Sequence, residues 1–336
     1  MTKKERFYAT LERKKTDRPA CWLGIPTNEA LPELYKYFGA DSFYDLKRAV
    51  DDDIWSVEIP FVPFDFTRPS FKTDERTLTN PGFFEEYEDV SAVDLFDWPE
   101  PEKCIDVQEC EKILDSVPEG YPVMGVIWSA HFQDACAAFG MEDALVKMKI
   151  APELFDAVID KITDHYLAVN KIFYETARGR MDAVLIGNDF GTQQGLILSK
   201  EDLKRFVFKG TAKLVQQAKS YGLKVFHHSC GAISEVIPDI IECGADIVHP
   251  IQALAAGMEP DALKEKFGDK VSFCGGVDAQ YLLVNGTPEK IEEKVRQLYS
   301  LFPTGLIISP SHEAILPDIP PENIDALFKS IKNLEI

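Results

Sequence analysis

The chain has 336 residues, of which 45% are hydrophobic and 27% charged, and it carries a net charge of −20. That balance argues against a nucleic-acid surface, which needs clustered Lys and Arg, and against docking on anionic membranes. No apolar run of about 18 residues could cross a bilayer.

The charged start Met1-Thr2-Lys3-Lys4-Glu5-Arg6 runs into a helical pattern and does not read as a signal peptide. Apolar runs at 20–24 and 54–58 follow as strands. The stretch from Pro60 to about Cys104 is different, rich in Pro, Asp and Glu with Phe61, Phe64, Phe66, Phe71, Phe83 and Phe84 close together. Such an insertion either lines or caps a site, or forms a satellite cluster under a surface loop. A third strand is expected at 123–128. From Met181 the punctuation becomes regular, with strands at 181–187, 224–228, 245–249, 271–274 and 305–309. Between them lie a helix opened by Ser199 with Glu201 and Asp202 in its first turn, one at 233–243 closed by Gly244, and others at 261–267 and 288–301. Pro321-Glu322-Asn323 opens the last helix.

Alternation of this kind implies parallel strands joined by right-handed crossovers. Eight strands close without leaving an edge, so the fold expected is α/β, a single (β/α)8 TIM barrel over residues 1–336 with an aromatic-rich insertion in its N-terminal third. A doubly wound open sheet competes, but no glycine-rich dinucleotide fingerprint follows the first strand. The seven cysteines (Cys21, Cys104, Cys110, Cys136, Cys230, Cys243 and Cys274) are odd in number and scattered. They argue against a disulfide framework and for a cytoplasmic setting.

In such a barrel the chemistry sits at the C-terminal strand ends. Four of the six histidines (His131, His228, His249 and His312) fall at or just past those ends, while His165 lies on a helix and His227 one residue inside a strand. His228 and Cys230 are two residues apart where a strand runs out, so both can point to one side, and His227 should face away into packing. Imidazole with thiolate suits zinc, and catalytic zinc keeps three protein ligands and an open position. The candidates for the third ligand are, in order, His312, Glu313, Cys274 and Asp189. Asp189 and Glu313 are also the groups expected to orient a ligand or handle a proton. Trp22, Glu58, Trp128, Gln193 and Gln252 are expected to line the substrate site. Packed histidine beside an inert thiol is the plainer reading of His-x-Cys, and a barrel with a purely structural metal is the non-enzymatic one.

The segments His228-Ser229-Cys230-Gly231, Gly191-Thr192-Gln193, His249-Pro250-Ile251-Gln252, Gly275-Gly276-Val277-Asp278 and Pro310-Ser311-His312 ahead of Pro321-Glu322-Asn323-Ile324 resemble the uroporphyrinogen decarboxylase superfamily. The similarity is closer to its corrinoid-dependent zinc methyltransferase branch, and it is clearest from about Val123 onward. The decarboxylases carry an arginine in the first strand–loop to hold carboxylates, whereas Arg18-Pro19-Ala20-Cys21-Trp22-Leu23-Gly24-Ile25-Pro26 has none after the strand. The coenzyme M methyltransferases imply His228 and Cys230 as two zinc ligands. Their third is a cysteine in a Ser-Pro-Gly-Cys context, where this chain has Ser309-Pro310-Ser311-His312. The resemblance implies methyl transfer from a small methylated donor to the reduced corrinoid of a partner protein. An aryl methyl ether is the preferred donor, as in O-demethylase methyltransferases. Transfer from corrinoid to a thiol or tetrahydrofolate is the alternative, and uroporphyrinogen decarboxylation a further one. No histidine stands in an Asp-x-His-x-x-Gly context, so the corrinoid is expected on a separate chain. A homodimer is compatible with the sequence.

Overall fold

Each of the eight runs forms a strand in the computed structural model, which describes residues 1–67 and 80–334. They are β1 (Ala20–Cys21), β2 (Trp55–Glu58), β3 (Val123–Trp128), β4 (Ala183–Gly187), β5 (Lys224–His228), β6 (Ile247–Ile251), β7 (Ser272–Val277) and β8 (Leu306–Pro310). Every pairing is parallel, in the order β1-β8-β7-β6-β5-β4-β3-β2. The sheet curls until β1 meets β2, which makes the architecture a (β/α)8 barrel.

The seam between β1 and β2 is closed by charge. Among the described residues no ladder joins the two strands, and the backbone link is Asp53 N–H donating to Cys21 O at 2.9 Å. Carboxylates supply the rest: Asp53 accepts from Cys21 N at 3.0 Å and Asp52 from Leu23 N at 2.9 Å. Both aspartates are fully buried. Arg6 and Arg18 meet Asp53 at 2.6 and 2.8 Å, and the buried Lys47 meets Asp52 at 2.6 Å.

Period-two alternation sends Trp22, Met124, Leu185, Phe226, Cys274 and Ile307 into the barrel interior. α1 (Lys3–Leu11), opened by a Thr2–Glu5 capping box, closes the N-terminal end by stacking Phe7 on Phe226 with centroids 6.2 Å apart. The other face of the strands packs on the helices. His227 is there, beside Phe190 at 5.7 Å, and burial pushes its pKa down to about 3, so it packs as a neutral ring. β7 runs past Cys274 to Val277, further than its pattern suggested. Gly275 and Gly276 adopt φ of 122° and 97° yet keep Ile308 and Ser309 as partners, and a Cβ on Gly275 would fall 2.6 Å from Ile251 N.

The aromatic insertion joins the hydrophobic layer between strands and helices. Phe64 stacks on Phe66 at 5.1 Å, and Trp98, His165 and Tyr166 close around Phe64, the last two from the long helix α3 (Pro152–Thr176). Phe71 lies outside the described residues.

His131, although it follows a strand end, opens the preceding helix α2 (His131–Phe139) and packs. Its Nε2 lies 3.0 Å from Val207 O and its Nδ1 3.3 Å from Asn188 Nδ2. Burial holds its pKa below the ordinary 6.5. The unfolded chain therefore takes up a proton below about pH 6.5 that the folded chain refuses, so stability present above that pH is lost as the pH falls. A His131→Gln variant is expected to show a shallower loss of unfolding free energy between about pH 6.5 and 5, read by urea melts at several pH values. An unchanged slope would count against this assignment.

Candidate metal centre

His228 is the last residue of β5, and Cys230 lies just past it, where Gly231 turns the chain at φ 85°. A Cβ on Gly231 would lie 2.4 Å from the Gly191 carbonyl carbon, so the loops after β4 and β5 cross in backbone contact. Ala232 N–H donates to Thr192 O at 2.8 Å across that crossing. The crossing carries Asp189 to Cys230, whose N–H donates to Asp189 Oδ1 at 2.9 Å. A second close approach places Glu313. A Cβ on Gly24, at φ 90°, would fall 2.3 Å from Glu313 O, which accepts from Ile25 N–H at 2.7 Å. Short strands Ile25–Pro26 and Ala314–Ile315 then pair and hold the loops after β1 and β8 together over the mouth.

These loops converge on the His228 imidazole. On one side, Cys230 Sγ is 3.6 Å and Asp189 Oδ1 3.2 Å from Nε2. On the other, His249 Nδ1 is 3.0 Å and Glu313 Oε2 3.5 Å from Nδ1. Trp128 stands edge-on to His228 at 5.2 Å, and Trp22 edge-on to His249 at 5.3 Å. Trp128 reaches this place from a left-handed residue (φ 58°) beside a register shift between β3 and β4.

Three groups that can be anionic (Asp189, Cys230 and Glu313) thus face one imidazole, an arrangement that calls for a cation. Burial opposes charging of His228, but Glu313, Asp189 and Cys230 outweigh it and raise its pKa well above the ordinary value. Burial likewise opposes the Cys230 thiolate, yet hydrogen bonds from His228 and His312 bring its pKa below the usual thiol value. A metal would fit the same edge. A tetrahedral zinc with sulfur at about 2.3 Å and nitrogen at about 2.0 Å sets those donors about 3.5 Å apart. Glu313 Oε2 and His249 Nε2 are buried with no hydrogen-bond partner, which suits a supporting shell around a charged centre.

Asp189, last in the expected order, is the third donor of the tight group with His228 and Cys230, all within 4.8 Å of one another. His312 lies outside that group. Its Nδ1 accepts from Ala314 N–H at 3.0 Å, which leaves the ring proton on Nε2 to face the Cys230 sulfur. The hydrogen bond to Cys230, with Glu313 behind it, raises the His312 pKa, but the Ala314 N–H resists a second proton on Nδ1.

A family model described as uroporphyrinogen decarboxylase (URO-D) matches residues 70–334. The chain belongs to the uroporphyrinogen decarboxylase family. It is 28% identical to a uroporphyrinogen decarboxylase of Rickettsia bellii over 148 residues, 41% of this chain and 39% of that protein. It is 27% identical to the methylated-thiol–coenzyme M methyltransferase of Methanosarcina mazei over 195 residues, 57% of this chain and 47% of that one. The chain thus spans about half or less of the length of these curated relatives. A solved methyltransferase from Methanosarcina mazei shares the fold, with TM-score 0.69 and 16% identity over 99% of this chain and 98% of that one.

Within this member of the family, the remaining expected site residues are dispersed. Cys274 lies in the barrel interior, where burial pushes its thiol pKa up, and it is outside the donor group. Glu58 is exposed at the end of β2, and Gln193 is exposed on the loop after β4, its carbonyl accepting from Ala256 N–H at 3.0 Å. Gln252 is buried, and its Oε1 accepts from Gly231 N–H at 2.7 Å. Asp278 spends its carboxylate on the N–H groups of Gln280, Tyr281 and Leu282. Arg18 is committed to Asp53 at the opposite end of the barrel. His249 is the partner that no expected ligand or substrate role covered, although its strand-end position was visible.

Proposed function

We propose that this chain is a zinc-dependent methyltransferase that takes a methyl group from a small donor, preferably an aryl methyl ether, to the reduced corrinoid of a partner protein. The observation that carries the reading is the convergence of His228, Cys230 and Asp189 at the open end of a barrel of this family. The similarity to a coenzyme M methyltransferase supports methyl transfer as the reaction class. Arg18, held by Asp53, offers nothing to a polycarboxylate porphyrinogen.

His228, Cys230 and Asp189 would hold the metal. Zinc bound there supplies Lewis acidity toward an oxygen leaving group, which an aryl ether needs because phenoxide, with a pKa near 10, leaves poorly. The reduced corrinoid of the partner would supply the nucleophile toward the methyl group, and the aryl oxygen would keep the electron pair of the C–O bond. The chain's own residues prepare this. His249 accepts the His228 proton at Nδ1, with the Glu313 carboxylate 3.5 Å away, which leaves Nε2 as the ligand atom. His312 donates its Nε2 proton toward Cys230 and favours the thiolate. Trp128 covers His228 and keeps water from that flank.

The test supplies purified protein with a reduced corrinoid protein and, separately, methoxyarenes, methylamines and thiols. Methyl-corrinoid appearance with a methoxyarene is the expected result. Turnover with only a thiol would move the protein to the coenzyme M type of reaction, and no turnover with any of these compounds would remove methyl transfer altogether.

A further inference from the structure

A hollow of 170 Å³ opens beside His312, between the loops that follow β6, β7 and β8. Gln252, Gln280, Ser311 and His312 form its polar side, and Leu316 and Ile319 its apolar side. Among the described residues lining it, none carries a carboxylate, an ammonium or a guanidinium. The lining group that can charge is the His312 imidazole, which can only become positive, so a cationic guest would be stripped of water without a charged partner. A cavity of about 150 Å³ lined by apolar side chains holds benzene. This one therefore admits a single six-membered ring with a small substituent and excludes a tetrapyrrole.

On the polar side the donor held in one place is that of Gln252, since the Ser311 O–H is free to turn and Gln280 is exposed. Ser311 Oγ accepts from Ala279 N–H at 3.0 Å, and His312 Nδ1 from Ala314 N–H at 3.0 Å. Gln252 is only 8% exposed, and its contact with Gly231 N fixes its orientation. A backbone N–H can only donate, so the amide atom 2.7 Å from it is oxygen and the amide nitrogen is turned the other way. That Nε2 has no hydrogen-bond partner among the described residues.

We infer that this hollow is the recognition pocket for a single-ring molecule without a cationic group, oriented by a hydrogen bond from Gln252 Nε2 to an acceptor on its substituent. The inference deepens the methyl-donor reading and rests on it for the pocket's place in the reaction. Gln252 would then read the guest with its nitrogen while its oxygen holds Gly231, the residue after Cys230.

Calorimetric titration of the full chain with anisole and with ethylbenzene tests this, since the two differ by an oxygen in place of a methylene. Gln252→Glu keeps an oxygen for Gly231 N–H and removes the donor. It is expected to lower the ratio of anisole to ethylbenzene affinity about tenfold, which is about 1.4 kcal/mol. Ala279→Phe, which fills the hollow from its wall, is expected to abolish binding of both rings, with thermal melts confirming that each variant is folded. An unchanged ratio in Gln252→Glu, or ring binding that survives Ala279→Phe, overturns the pocket. Titration needs neither corrinoid nor turnover, so the two readings fail separately. A shifted ratio with no methyl transfer overturns the reaction alone, and methyl transfer with an unshifted ratio overturns the pocket alone.

Discussion

Cys230→Ala protein is expected to emerge from purification without zinc, whereas the wild type carries about one ion per chain. The loss should be large because Cys230 is both a donor and the group that His228 and His312 polarise. Removing outer-shell partners of a metal typically costs about 10- to 100-fold in affinity, and removing a thiolate ligand should exceed that. The comparison variant is His249→Ala, which leaves the three donors in place and takes away the partner of His228 Nδ1. It should weaken zinc by roughly 10- to 100-fold without abolishing binding. Metal analysis and competition with a chromophoric chelator separate the two variants. Stoichiometric zinc retained by Cys230→Ala would place the metal elsewhere and sink the centre described above. Equal losses in both variants would mean that Cys230 and His249 support the centre alike, and the ligand assignment would fail.

The second large effect is on folding. Asp53→Ala is expected to destabilise the protein by about 3–5 kcal/mol, the usual cost of leaving buried charge uncompensated. Arg6 and Arg18 would both lose the carboxylate they meet at 2.6 and 2.8 Å, and Cys21 N–H would lose its acceptor. The damage falls on the seam, where Asp53 N–H to Cys21 O is the backbone tie between β1 and β2. An exposed pair such as Lys36 with Glu33 offers the contrast, since surface ion pairs contribute about 0–1 kcal/mol. Urea or guanidinium melts of Asp53→Ala beside Glu33→Ala would show the difference. A shift of less than about 1 kcal/mol in Asp53→Ala would mean that the seam is held by packing, and that the buried charges there contribute little.

The sequence by itself determined the barrel and the meeting of His228 and Cys230 at its mouth. Alternating β-branched runs and amphipathic helices have few ways to pack. A histidine and a cysteine two apart at a strand end point the same way because strand geometry is local. The same locality placed His227 in the packing layer, where it lies beside Phe190. What the tertiary structure decided depends on loops meeting from distant parts of the chain. Asp189 joins His228 and Cys230 in one donor group, which His312 does not, because Gly191 and Gly231 let two loops cross in contact. Spacing along the chain carries no record of that crossing. His131 shared the strand-end position of the other rim histidines, yet it turned away into α2 and found Val207. The aromatic insertion could have capped the mouth or packed elsewhere, and its rings found α3, because composition reports the need for burial but not the surface that provides it. The seam carboxylates of Asp52 and Asp53 were likewise silent in the sequence, since their meaning depends on where Arg6, Arg18 and Lys47 arrive.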